Sequence, residues 1–306
     1  MKKMLNDRSA DSAPTHPPEG PVLVTGMPRS GTTWLARLLA SAPGCALTGR
    51  EPMNPRGRQY ALGGTLSGWT RLSSPNRRQR VALKTSYLGI NPWVFSRYGY
   101  RQWAAALPNT RVIVKDPFAM LSMPVIHSVT RATAVVLFRH PGAALTSYRR
   151  MGWTPDSAEL APIAQHFAAD HEEFPGLADA PSSPTSDVQA MAWFWNTLYG
   201  VALYDAAELG RNVIIVAHED IAAGGTSFGE RLFAELGLAW DEKVARKLLL
   251  DGDTSKTRPN ALHNFDRSPA KVAHDWQSRI AHDERTELER LTGHVYGRLL
   301  ERSLRL

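Results

Sequence analysis

The 306-residue sequence predicts an α/β fold built as a doubly wound, three-layer parallel sheet. Three observations carry this expectation. Short apolar runs recur at 22–25, 111–115, 134–138 and 213–217, and each reads as a strand covered on both faces. Helical periodicity occupies much of the sequence between them. The first run leads directly into a glycine-spaced turn and a helix, the βα form that places an anion against helix N–H groups. In such a sheet a ligand is expected at the carboxyl ends of the strands.

Taken in order, residues 1–20 are rich in Ser, Asp and Pro and predict a disordered leader, leaving 21–306 as a single domain. The segment PVLVTGMPRSGTTW, 21–34, supplies the first strand, a loop and the start of a helix that carries Leu35, Leu38 and Leu39 on one face. Cys45 follows that helix as a small buried residue. The stretches 57–80 and 175–187 are rich in turn residues and read as long surface segments. Between 64 and 103 stand Trp69, Tyr87, Trp93, Tyr98, Tyr100 and Trp103, which are expected to line or cover a pocket for a second substrate. The strand 134–138 ends at Arg139 and runs into a helix carrying Ser147. Residues 190–209 predict a helix whose Trp193, Trp195 and Tyr199 fill core space. A strand at 213–217, a helix over 228–236 and a terminal amphipathic helix over 283–300 complete the pattern.

The loop after the first strand says which anion. Gly26 and Gly31 keep the six-residue glycine frame of the nucleoside-triphosphatase loop GxxxxGK[ST], whose lysine reaches the outer phosphates. Here Thr32 stands in the lysine position, and the cation, Arg29, lies inside the loop. Thr32 and Thr33 offer hydroxyls at a helix N-terminus, where unpaired N–H groups favour negative charge.

The segment PRSGTTW resembles the 5′-phosphosulfate loop of the sulfotransferases that use 3′-phosphoadenosine 5′-phosphosulfate. The segment AVVLFRHPGAALTSYRRMGW resembles the strand, arginine and downstream serine with which that family clamps the 3′-phosphate. The resemblance is nearest to soluble bacterial sulfotransferases and implies a P-loop-like fold. It also implies a donor site of Arg29, Ser30, Gly31, Thr32, Thr33, Trp34, Arg139 and Ser147, with Trp34 stacking on adenine. Such a pairing is physically reasonable, because a guanidinium fork and a converging hydroxyl suit a terminal phosphate. In RVIVKDPFAMLSMP, Lys115 matches the lysine that the family sets beside the transferring group. The family's histidine base falls on Pro117 and is missing. Glu51, in GREPM, and Asp116 are the candidate bases, Glu51 being favoured, since a partly buried carboxylate can accept a hydroxyl proton. Asp116 also fits a helix-capping role. Near the end, Trp276 fits the tryptophan of a closing loop whose glycines are absent, and Lys271, with Arg267, Lys256 and Arg258 as alternatives, is the expected cation of that loop.

Composition narrows the classes of partner. A net charge of +7 suits an acidic ligand such as a nucleotide, while the absence of a long Lys/Arg block argues against nucleic acid. One cysteine excludes an internal disulfide framework and suits a reducing cytoplasm. Neither a signal peptide nor a run of about 18 apolar residues occurs, so no membrane partner is expected. The ten histidines form no metal-ligand motif, and no metal is expected. The acceptor group is expected to be a hydroxyl, with an amine as the alternative, on a small molecule, a carbohydrate or a glycoconjugate. An ATP-dependent kinase with a degenerate loop, or an inactive nucleotide-binding module, are the competing readings.

Overall fold

A computed structural model describes residues 19–56, 61–62, 64–171, 177, 186–250 and 275–306. The first apolar run forms β1 (Val22–Thr25), followed by α1 (Thr32–Leu39) and β2 (Cys45–Leu47). A long connection holds α2 (Arg77–Tyr87) before β3 (Arg111–Lys115) and α3 (Met123–Thr130). Then come β4 (Thr133–Phe138), α4 (Pro141–Met151), α5 (Ser157–Asp170) and α6 (Asp187–Leu209). The chain closes with β5 (Val213–Ala217), α7 (His218–Leu236), α8 (Glu242–Leu250) and α9 (His282–Arg302).

The described strands make one parallel sheet in the order β2-β3-β1-β4-β5. Alternate residues of each strand serve opposite faces. Leu23, Val114, Val136 and Phe138 join the core against α6 and its neighbours, whereas Val22, Val24, Ile113, Val135 and Leu137 join the core against α1 and α7. Both faces are therefore dry, which explains why the strands read as continuous apolar runs. The chain leaves β1 toward β2 and leaves β4 toward β5, so a crevice opens at the carboxyl ends of β1 and β4.

Several boundaries differ from the sequence expectation. The strand β2 is only three residues long and lacked a detectable pattern. Part of the expected surface segment 57–80 is ordered as the start of α2, where Asn76 accepts from Gln79 N–H and the Gln79 side chain accepts from Asn76 N–H. That reciprocal cap offsets an exposed face with little apolar drive. The helix expected over 228–236 begins at His218 and bends at Gly225, whose φ is 53°. The candidate cations Lys271, Arg267, Lys256 and Arg258, the surface segment 175–187 except 177 and 186–187, and nearly all of the leader lie outside the described residues.

Candidate functional site

The loop 26–31 turns sharply between β1 and α1. Gly26 and Gly31 take φ of 148° and 103°, and Arg29 is held at 76°. A left-handed arginine costs of order 1 kcal/mol or more, and such strain persists only where the surroundings impose it. Gly31 also has no room for a side chain, because a Cβ there would meet His218 Cδ2 at 2.9 Å. The loop backbone is tied down from the far side. Tyr199 of α6 accepts from Met27 N–H at 3.2 Å and donates to the Leu137 carbonyl at 3.0 Å.

From this loop the Arg29 side chain crosses the crevice, and its Nε donates to Ser147 Oγ of α4 at 3.2 Å. Arg139, at the end of β4, is 8% exposed. Burial first, and then Arg150, destabilise the charged form of Arg29. Burial likewise lowers the Arg139 pKa; Glu219 opposes this, and Arg150 and Arg29 add to it. Arg29, Arg139 and the exposed Arg150 each raise the cost of a neighbour's charge, with Glu219 and Asp275 opposing this at Arg139, and an anion bound among them would lower that cost. Among the described residues, two buried polar atoms near the loop, Trp34 Nε1 and His218 Nδ1, stand without partners. A ligand with several acceptors fits such a surface.

All the expected donor-side residues that the structure describes lie at this end of the sheet. Thr32 is buried, and Thr33 and Trp34 are half-buried on the first turn of α1. Trp34 packs on the α1 side of the core. Trp276 reaches the same region, stacked on His140 with centroids 4.3 Å apart, and it lies so close to Gly142 that a Cβ there would fall 2.3 Å from its ring. His140 caps α4, its Nδ1 accepting from Gly142 N–H at 3.1 Å.

On the neighbouring side, at the end of β3, Lys115 Nζ is ion-paired with Glu51 Oε1, and Asn54 donates to Glu51 Oε2. Both partners keep some exposure, so a substrate can reach them. Asp116 is different. It is 0% exposed, its Oδ2 accepts from Met53 N–H at 2.6 Å and its Oδ1 from Phe118 N–H at 3.0 Å. Burial, and secondarily the Glu51 charge, push its pKa up to about 8, while the two backbone donors pull the other way. Among the expected pocket aromatics, Trp69 and Tyr87 are core residues, whereas Trp93, Tyr98 and Trp103 are exposed.

Sequence reasoning missed His218 and Glu219. Both follow directly on β5, a position that a parallel sheet directs toward its ligand end, and that placement was the available signal. His218 is buried neutral, with burial driving its pKa down to about 3. Glu219 accepts from His140 N–H at 3.0 Å.

A profile described as "Sulfotransferase family" matches residues 21–242. The chain belongs to the sulfotransferase family. The match spans the loop after β1, the Lys115–Glu51 pair and the Arg139–Ser147 segment. Among solved structures, the chain is similar to a sulfotransferase domain from the curacin biosynthetic pathway, at 14% identity and TM-score 0.48, covering 90% of this chain and 97% of that one. It is similar to the sulfotransferase domain of the Synechococcus PCC 7002 olefin synthase, at 20% identity and TM-score 0.47, covering 92% and 97%. It is also similar to mouse sulfotransferase SULT7A1, solved with PAP, at 15% identity and TM-score 0.45, covering 92% and 87%. Comparison with curated proteins gives no match. In this sulfotransferase, no described helix is long and apolar enough to cross a membrane, and the described residues contain no His/Cys/Asp/Glu group able to hold a metal.

Proposed function

We propose that the protein transfers the sulfuryl group of 3′-phosphoadenosine 5′-phosphosulfate to a hydroxyl of a small molecule or carbohydrate. The observation that carries this reading is the hydrogen bond between Arg29 and Ser147, which joins the loop after β1 to α4 across 118 positions beside the buried Arg139. The donor supplies the activated sulfur–oxygen bond. The loop N–H groups with Ser30, Thr32 and Thr33 hold its 5′-phosphate, and Arg139 with Ser147 holds its 3′-phosphate. Trp34 offers its ring to the base. Any contribution of Lys271 belongs to the segment outside the described residues.

On the acceptor side, Glu51 takes the hydroxyl proton as the acceptor oxygen bonds to sulfur. The bond from sulfur to the bridging phosphate oxygen breaks, and the electron pair stays on that oxygen. Arg29 and Lys115 stabilise it; being fixed before the reaction, they need no reorganisation. Lys115 also holds Glu51 in place beforehand. Asp116 acts as a positioning residue, since its Oδ2 fixes Met53 N–H two residues after Glu51.

Thermal unfolding with ligands tests the donor. At about 100 times the dissociation constant, 3′-phosphoadenosine 5′-phosphate adds roughly 2.7 kcal/mol of stability. The expected result is a shift with this bisphosphate and none with ATP plus Mg²⁺. A shift with ATP and Mg²⁺ alone overturns the reading in favour of a kinase.

A further inference from the structure

Between Glu51 and Asp116 the sequence contains eleven Lys and Arg and not one Asp or Glu, so the rest of this +7 chain is net acidic. Among the described residues, the same stretch holds most of the large exposed apolar side chains. Along α2 and its C-terminal cap, Arg77, Val81, Lys84 and Leu88 recur at helical spacing on the outer face, and all are exposed. Ile90 continues that line at 54% exposure. The turn at Gly89 rests on the backbone and side chain of Ala105, so a Cβ there would meet Ala105 O at 2.7 Å. Trp103, 72% exposed, and Leu107, 51% exposed, are each two residues from Ala105, so they stand on the segment that touches the turn carrying Leu88 and Ile90. Trp93 and Tyr98 are exposed in the same connection. Arg77, Lys84, Arg97 and Arg101 have no carboxylate partner among the described residues.

We propose that this surface docks on a membrane containing anionic lipid. Indole and phenol rings sit at the headgroup level, aliphatic side chains reach the acyl boundary, and Arg and Lys meet lipid phosphates. An acidic polypeptide would satisfy the cations but leave Leu88, Ile90 and Trp103 in water. The expectation of no membrane partner rested on the lack of a spanning segment, and interfacial docking needs none. The surface adjoins the site: Gly49 N–H and Arg50 N–H both donate to the Val94 carbonyl, at 2.9 and 2.8 Å, directly before Glu51. The proposal stands apart from the donor reading, because vesicle binding and the bisphosphate shift are separate measurements on one protein.

The test is flotation of the full chain with phosphatidylcholine vesicles, with and without phosphatidylglycerol, beside a competition with polyglutamate. Binding is expected only with phosphatidylglycerol, weakening as salt rises. Trp93→Ala with Trp103→Ala should lower partitioning by about tenfold or more per tryptophan. Arg77→Glu with Lys84→Glu should lower it by about fivefold or more per charge. These exposed positions should leave circular dichroism and the bisphosphate shift unchanged. Failure of the wild type to float, or flotation indifferent to both pairs of substitutions, overturns the proposal. Binding of polyglutamate without vesicle binding assigns the surface to an acidic polypeptide instead.

Discussion

The two halves of the cleft are built by different means. The donor half, at the ends of β1 and β4, is made of backbone turned by closely spaced residues, with Arg29, Arg139 and Ser147 fixed on adjacent elements. The acceptor half, at the end of β3, is made of side chains that meet across long separations, such as Lys115 with Glu51 and Asp116 with Met53. The first half is rigid because the chain has little choice of path. The second is rigid only while its buried carboxylate and its ion pair stay satisfied. Substitution should thus separate them: chemistry is most sensitive at Glu51 and, across the boundary, at Arg29, binding at Arg139 and Ser147, and stability at Asp116.

The largest effect is expected at Glu51. Glu51→Gln removes the proposed proton acceptor while keeping size, and should lower kcat by about a thousandfold with the bisphosphate shift intact. Asp116→Asn should behave in the opposite sense. An amide cannot accept from both Met53 N–H and Phe118 N–H, and leaving one donor unsatisfied costs about 1–3 kcal/mol of stability. Its kcat should fall much less than that of Glu51→Gln at a temperature where both variants are folded. A larger kcat loss at Asp116 than at Glu51 would transfer the base role to Asp116.

Arg29→Ala comes next. Loss of one preorganised charge proposed to face the leaving oxygen is expected to cut kcat by about a hundredfold, with a smaller rise in the dissociation constant for the bisphosphate. An equal loss in both would make Arg29 a binding residue only.

The contrast between the halves also explains what the sequence made legible. The sheet was readable because strands buried on both faces leave uninterrupted apolar runs, as at Val22–Thr25 and Thr133–Phe138. The loop was readable because Gly26 and Gly31 mark positive φ by residue type alone. Glu51, Lys115 and Asp116 were visible as candidates, yet nothing local could say that Lys115 would pair with Glu51, 64 positions away, or that both Asp116 oxygens would be spent on backbone N–H groups. Tyr199 was read as core filling. It does fill the core, but its hydroxyl also bridges Met27 and Leu137, a role that periodicity does not encode.

The smallest effect concerns pH, and it links the two flanks of the donor half. Burial lowers the pKa of His140 to about 4 and that of His218 to about 3, against an ordinary value of 6.5. Below pH 6.5 the unfolded chain binds protons at both positions, whereas the native state resists until pH 4 and then pH 3. At these two positions the unfolded state is the one that gains protons, so the histidines should withdraw stability as pH falls from 6.5 toward 4, while Asp116, its pKa pushed up to about 8, contributes with the opposite sign. His218→Gln, neutral at every pH, should lose less stability than the wild type between pH 7 and pH 5 in denaturant titrations. If the slope between those values is unchanged in the variant, His218 is not buried neutral beneath Gly31, and the packing that positions the loop must be held by other contacts.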